Sequence, residues 1–140
     1  MSVIATRGQI VSNWLKATDS ENTALFFDLI TVNEATQTTY KTGTVLGKIT
    51  ASGKYIVSKQ AAADGSQNPV AIVVGDGSLG SPEDFVVPAT TDTKVLALVR
   101  GKAVVSSAGI LLDASFDLDA EKAAAYASLK TVGILVETGL

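Results

Sequence analysis

Few residues in this chain are of types able to do chemistry. Its 140 residues include no Cys and no His, which removes thiol nucleophiles, disulfides, thiolate or imidazole metal sites and the usual neutral-pH general base. Carboxylate, Lys, Ser/Thr and Tyr chemistry remains. "GTVLGKI" at 43–49 has the glycines and lysine of a phosphate-binding loop. That loop needs four residues between its glycines and a Ser/Thr after the Lys, so that backbone N–H groups turn toward phosphate and a hydroxyl reaches magnesium. Here three residues separate Gly43 from Gly47, and Ile49 follows Lys48. "VAIVVGDGSLG" satisfies G-x-G-x-x-G at Gly75, Gly77 and Gly80, but a dinucleotide site also needs a helix opening at the third glycine. Ser81-Pro82 could start one, yet Pro88 allows barely one turn.

"DASFDLDAE" sets Asp113, Ser115, Asp117, Asp119 and Glu121 at alternating positions, as a calcium loop does. A loop of the EF-hand type wants Gly at its sixth position and Glu at its twelfth, where Leu118 and Ala124 stand. No G-x-S-x-G marks a nucleophile turn, and the adjacent Glu83 and Asp84 read as solvated loop charges. The expectation is a protein with no catalytic residue, no cofactor and no metal, hence not an enzyme.

The elements that would have to position such residues are mainly strands. From Ala24 onward the apolar runs are short and rich in β-branched residues: 25–32, 44–50, 54–58, 70–74, 94–100, 103–106 and 134–136. Gly, Asn, Ser, Asp or Pro punctuates most of them, as turns between strands require. Within 43–57, Val45, Gly47 and Ile49 share one strand face and Ser52-Gly53 supplies a tight turn into Tyr55 and Val57, so this stretch predicts a β-hairpin. "DLDAEKAAAYASLKTVG" predicts the one helix, with Asp119 as cap, Glu121 in the first turn and Gly133 ending it in a left-handed conformation. Tyr126 and Leu129, with Ala123 and Ala127, form its apolar stripe.

Length and charge bound the partners. A chain this long buries roughly two thirds of the surface it exposes unfolded, enough for one core without staples. The net charge of −3 carries no basic block: residues 41–100 sum to +1 (six basic, five acidic), and the first 40 and last 40 each sum to −2. A nucleic-acid groove needs clustered Lys/Arg, so nucleic acid is not an expected partner. Neither a signal peptide nor an apolar run of membrane-spanning length is visible, which predicts a protein without a membrane.

Residues 1–24 are aperiodic and end in the polar Asp19-Ser20-Glu21-Asn22, so they are expected to form an arm ahead of a β-rich domain at 25–140. Trp14, the only Trp, has two readings there. The arm folds back and Trp14 covers its own core, or Trp14 anchors in a partner's pocket, where a desolvated Trp dominates binding.

"NWLK" near the start, "TGTVLGKITASGKYIVSKQAAADGSQNPVAIVV" in the middle, "KVLALVRGKAVV" after it and "AEKAAAYASLKTVGILV" near the end together resemble the phage head decoration proteins, the family of the lambda decoration protein. The similarity spans most of residues 40–137 in order. It implies a small β-clip domain, a bent ribbon or incomplete barrel. It further implies a trimeric cement protein, made in the host cytoplasm, that binds the major capsid protein outside a tailed-phage head at three-fold and quasi-three-fold positions. On that reading Ile10, Val11, Trp14 and Leu15 are the expected capsid-binding residues, with the arm adding a strand to an exposed sheet edge. The longer amino-terminal portion and the spacer "GDGSLGSPEDFVVPATTD" depart from shorter members. The runner-up is a particle-displayed module recognising host-surface glycan, and an enzyme using the glycine-rich turns for a nucleotide comes third.

Overall fold

The computed structural model describes residues 14–18, 26–76 and 84–138. In chain order it contains β1 (Leu15–Thr18), β2 (Phe27–Val32), β3 (Thr38–Tyr40), β4 (Val45–Lys48), β5 (Tyr55–Val57), β6 (Pro69–Gly75), β7 (Phe85–Val87), β8 (Thr93–Leu98), β9 (Ala103–Ser106), α1 (Asp119–Lys130) and β10 (Ile134–Glu137). The described residues are mainly β with one helix near the C-terminus, as the short β-branched runs lead one to expect. Five strands close into a barrel in the order β2-β5-β4-β6-β8. The β2–β8 seam is long and antiparallel, running from Phe27↔Leu98 to Val32↔Thr93. The opposite seam is short: β2 meets β5 in parallel only at Val32↔Tyr55, backed by Asn33 N–H donating to the Tyr55 carbonyl at 3.1 Å.

The barrel wall separates two apolar clusters. Inside lie Ile30, Val32, Leu46, Ala71, Val73, Val95 and Ala97, joined at one end by Tyr40 and Val87 from the β3–β7 ribbon. Outside, Val45, Ile72 and Leu98 pack against Trp14, Val105, Leu129 and Ile134. Successive strand residues point to opposite faces, so Val45 and Leu46, or Ile72 and Val73, serve different clusters. This explains the continuous apolar run at 70–74: β6 is apolar on both sides because both sides are covered.

The outer cluster is roofed by a three-stranded sheet, β1-β9-β10, and by α1, which packs on β10 and β6. Here β1 runs antiparallel to β9 with a register shift between Leu15 and Ala17, and β10 runs parallel to it from Ile134↔Ala103 to Glu137↔Ser106. Five residues of the segment expected as an arm, 14–18, are thus built into the fold.

Three local readings are corrected. The 43–57 hairpin forms, with Leu46↔Val57 and Lys48↔Tyr55 paired, but its turn spans four residues: Ile49 N–H bonds to the Lys54 carbonyl and Gly53 N–H to the Ile49 carbonyl, both at 2.8 Å. The helix cap is Leu118 rather than Asp119; Glu121 compensates, its carboxylate accepting the Leu118 N–H at 3.2 Å. The buried helix face is Ala125 and Leu129, with Tyr126 partly covered, whereas Ala123 and Ala127 are exposed. Alanine is small enough to stand on either face, so spacing alone left that stripe ambiguous. Gly133 ends the helical segment at φ +88°, as expected.

Candidate functional site

The predicted site residues divide at Trp14. Ile10 and Val11 lie outside the described residues. Trp14 is fully buried in the chain's own outer cluster, which is the first of its two readings. Its indole N–H donates to Thr42 Oγ1 at 3.0 Å, so the polar edge of the ring is satisfied in the interior. Its carbonyl accepts the Ser106 N–H at 2.7 Å. Leu15 is half-buried against the same cluster. The structure therefore brings Trp14 and Leu15 together as the point where the preceding segment joins the domain, and turns both side chains inward.

That junction is a meeting of distant chain segments. Beside Trp14, the 106–109 turn leaves β9, and Ser107 N–H donates to the carbonyl of Glu137 at the end of β10. The entry to β1 and the exit of β10 thus sit at the same end of the β1-β9-β10 sheet.

Several of the residues that could do chemistry have structural work. Gly47 and Lys48 lie inside β4, and a Cβ at Gly47 would clash with the Ser66 backbone, so this glycine is required by close packing of the 58–68 loop. Gly77 and Gly80 fall outside the described residues, and the chain after them forms strand β7. The Asp113 carboxylate accepts the Ser115 N–H at 3.0 Å, while Glu121 caps α1. Among the described residues no cluster of three or more acidic side chains could hold a metal. Asp84 stands 3.9 Å from Lys41 on the surface.

Sequence reasoning did not single out Glu34. Buried where the barrel meets the β3–β7 ribbon, its carboxylate accepts the Tyr40 hydroxyl and the Val57 N–H at 2.8 Å. Burial first, and the Glu34 carboxylate second, push the Tyr40 phenol far above the usual tyrosine range. Glu34 sits in the polar run "NEATQTTY", which reads as a solvated loop; only the tertiary partners reveal it as a clamp.

The model of a known family, bacteriophage lambda head decoration protein D, matches residues 5–134. The chain belongs to that family. The match covers nearly the whole domain, including the β1 strand that joins Trp14 to β9. Membership assigns a role in decorating the phage head and a place on the virion capsid, and it suggests a structural rather than enzymatic protein. No curated protein matches the sequence.

Proposed function

We propose that the protein is a trimeric cement protein that occupies three-fold and quasi-three-fold positions outside a tailed-phage head. We further propose that the segment before Trp14, with Ile10 and Val11 as apolar contacts, attaches it to the major capsid protein. The observation that carries the reading is the family match over residues 5–134. The buried Trp14 supports the attachment mode: a segment rooted by a buried tryptophan in the β1-β9-β10 layer can pass load from shell to domain, whereas one hanging from a loose linker would not. Trp14 and Leu15 act in this scheme as the root of the segment. A trimer links three modest contacts, and linkage raises avidity by orders of magnitude without new contacts.

Self-association is assigned to the barrel wall. Leu29 is 57% exposed and pairs across the strands with Leu96, continuing the Phe27/Leu98 row that the β1-β9-β10 layer covers. Light scattering is expected to report trimers for the wild type and monomers for Leu29→Asp, with little change in melting temperature. Trimers persisting in Leu29→Asp would move the contact elsewhere. Occupancy of purified heads tests attachment: a chain lacking residues 2–12 keeps Trp14, so it is expected to fold normally and to lose occupancy. Full occupancy by that truncated chain would remove the attachment reading.

A further inference from the structure

The 58–68 loop meets the first turns of α1 around a cavity of about 300 Å³. Gln60, Gln67 and Asn68 line it from the loop, and Ala120, Glu121 and Ala124 from the helix. The loop is held by bonds that leave most of these side chains unused. Ser58 Oγ donates to the Ser66 carbonyl at 2.7 Å, Thr50 N–H to the Asp64 carbonyl at 2.9 Å, and Gln60 N–H to Ser115 Oγ at 3.0 Å. Gln67 engages its Oε1 with the Gly65 N–H at 2.9 Å, and Glu121 its Oε1 with the Leu118 N–H at 3.2 Å. The Gln67 amide nitrogen and the second Glu121 oxygen remain. The side-chain amides of Gln60 and Asn68 have no hydrogen-bond partner among the described residues. Polar capacity from four side chains therefore converges on one preformed cavity.

We propose that this cavity binds one ring of a neutral saccharide, with the three amides and the Glu121 carboxylate around its hydroxyls and the Ala120 and Ala124 methyls against its C–H groups. A primary amide donates and accepts, a carboxylate accepts, and a hydroxyl does both, so the four groups can satisfy neighbouring hydroxyls in either sense. Other ligand classes fail on the same lining. Among the described residues that line the cavity Glu121 alone is charged, so a phosphate or carboxylate would meet a like charge and no cation. One carboxylate is too few for a calcium site. A nucleobase needs an open aromatic face, and Phe116, the aromatic of this lining, is 5% exposed. An extended peptide that binds through its main chain needs a strand edge, whereas these walls are a helix and a loop. A volume of about 300 Å³ is the lower end for small-molecule sites, which suits a single ring. Because the loop is already fixed, little ordering opposes binding. Free sugars and the ends of a polysaccharide present the same ring.

The test is a ¹⁵N titration of the full chain with glucose, galactose, mannose and N-acetylglucosamine, beside glycerol and N-acetylglycinamide as probes of a bare polyol and a bare peptide group. At least one sugar is expected to give saturable shifts at the amides of Gln60, Gln67, Asn68, Glu121 and Ala124, with a Kd of about millimolar. Gln60→Ala and Asn68→Ala break no bond within the domain, so both should fold and each should weaken binding roughly two- to tenfold. Ala124→Trp, at an exposed helix position, should fill the cavity and abolish binding. Unchanged dispersion of the barrel amides checks that all three variants fold. No saturable shift with any sugar up to about 100 mM, a hundred times the expected Kd, overturns the proposal. Shifts that persist undiminished in the three variants place the sugar elsewhere and also overturn it. Saturation by glycerol as tight as by any sugar removes recognition of a ring, and tighter saturation by N-acetylglycinamide reassigns the cavity to a peptide. A short oligosaccharide of the sugar that binds separates the two sources: tighter binding assigns a polysaccharide end and equal binding a free sugar, and both support the site. The measurement involves no capsid, so its failure leaves the attachment reading untouched.

Discussion

The two sides of the barrel wall are built by different means. The interior cluster draws mainly on strands that hydrogen-bond in a ring, closed by the long β2–β8 seam and by the single Val32↔Tyr55 pair between β2 and β5. The outer cluster is roofed by a layer whose strands come from residues 15–18, 103–106 and 134–137. That roof depends on both ends of the chain returning to β9. One side is a closed ring and the other an assembly, which predicts that the outer layer opens first and that the segment before β1 is coupled to the stability of that layer.

The largest expected effect comes from Gly47→Val in the barrel. Its side chain would occupy the space of the Ser66 backbone, which cannot retreat as a flexible side chain could. Loss of soluble folded protein on expression is expected. A well-folded variant would show that the 58–68 loop is dispensable to the ring.

Next in size is Trp14→Ala in the outer layer. Removing a fully buried Trp costs about 3–5 kcal/mol, and here it also leaves Thr42 Oγ1 without its indole donor. Native-state hydrogen exchange is expected to show β1, β9 and β10 amides losing protection ahead of β4 and β6. Uniform loss across both regions would dissolve the distinction between ring and assembly.

A smaller effect is expected at the junction of barrel and ribbon. Tyr40→Phe removes a buried hydrogen bond to a carboxylate, worth roughly 1.5–3 kcal/mol. It should also change the alkaline limb of stability. Because the folded-state pKa of Tyr40 is raised above the ordinary value of 10.0, the stabilisation is complete below about pH 10 and is lost as the pH rises further, when the unfolded chain ionises and the folded one does not. Denaturant titrations from pH 8 to 11 are expected to show a shallower decline in Tyr40→Phe. An unchanged slope would mean that Tyr40 ionises freely in the folded state.

The smallest effect is at the surface. Lys54 first, and Asn33 second, hold the Asp92 carboxyl below its ordinary value of 3.8. The folded pKa is depressed, so its stabilisation is present above the ordinary value and is lost as the pH falls through the depressed one. Acid unfolding of Asp92→Asn is expected to begin from a slightly less stable state and to fall less steeply below pH 4, while the barrel stays intact at neutral pH.

How far the fold was legible follows from what each signal depends on. Seven strands announced themselves as β-branched runs, since β2, β4, β6, β8, β9 and β10 bury apolar side chains at short spacing and β5 half-buries its own. The three that did not are short or polar. In β3, "TTY" lies in a run of threonines; β7, "FVV", follows a glycine-rich spacer; and β1, "LKAT", is too mixed to show a period. Each is a strand because of its partner, and pairing is not written in local composition. The helix was legible because alanine propensity and Gly133 are local. Its cap was not, because Glu121 reached back to Leu118 in place of an Asp119 side chain.

By itself, the sequence determined the chemical inventory and the class of fold. The absence of His and Cys, the failed spacings of the glycine motifs and the punctuated β-branched runs are properties of residues and their near neighbours, and no folding is needed to evaluate them. The tertiary structure alone decided the side of the wall to which each residue belongs, and with it the role of Trp14. Whether a tryptophan in an aperiodic segment anchors a partner or completes its own core turns on Thr42, Ser106 and Leu129, which are 28, 92 and 115 positions away. Contacts at such separations depend on closing the ring and laying both chain ends on β9, and no window of local sequence contains that information.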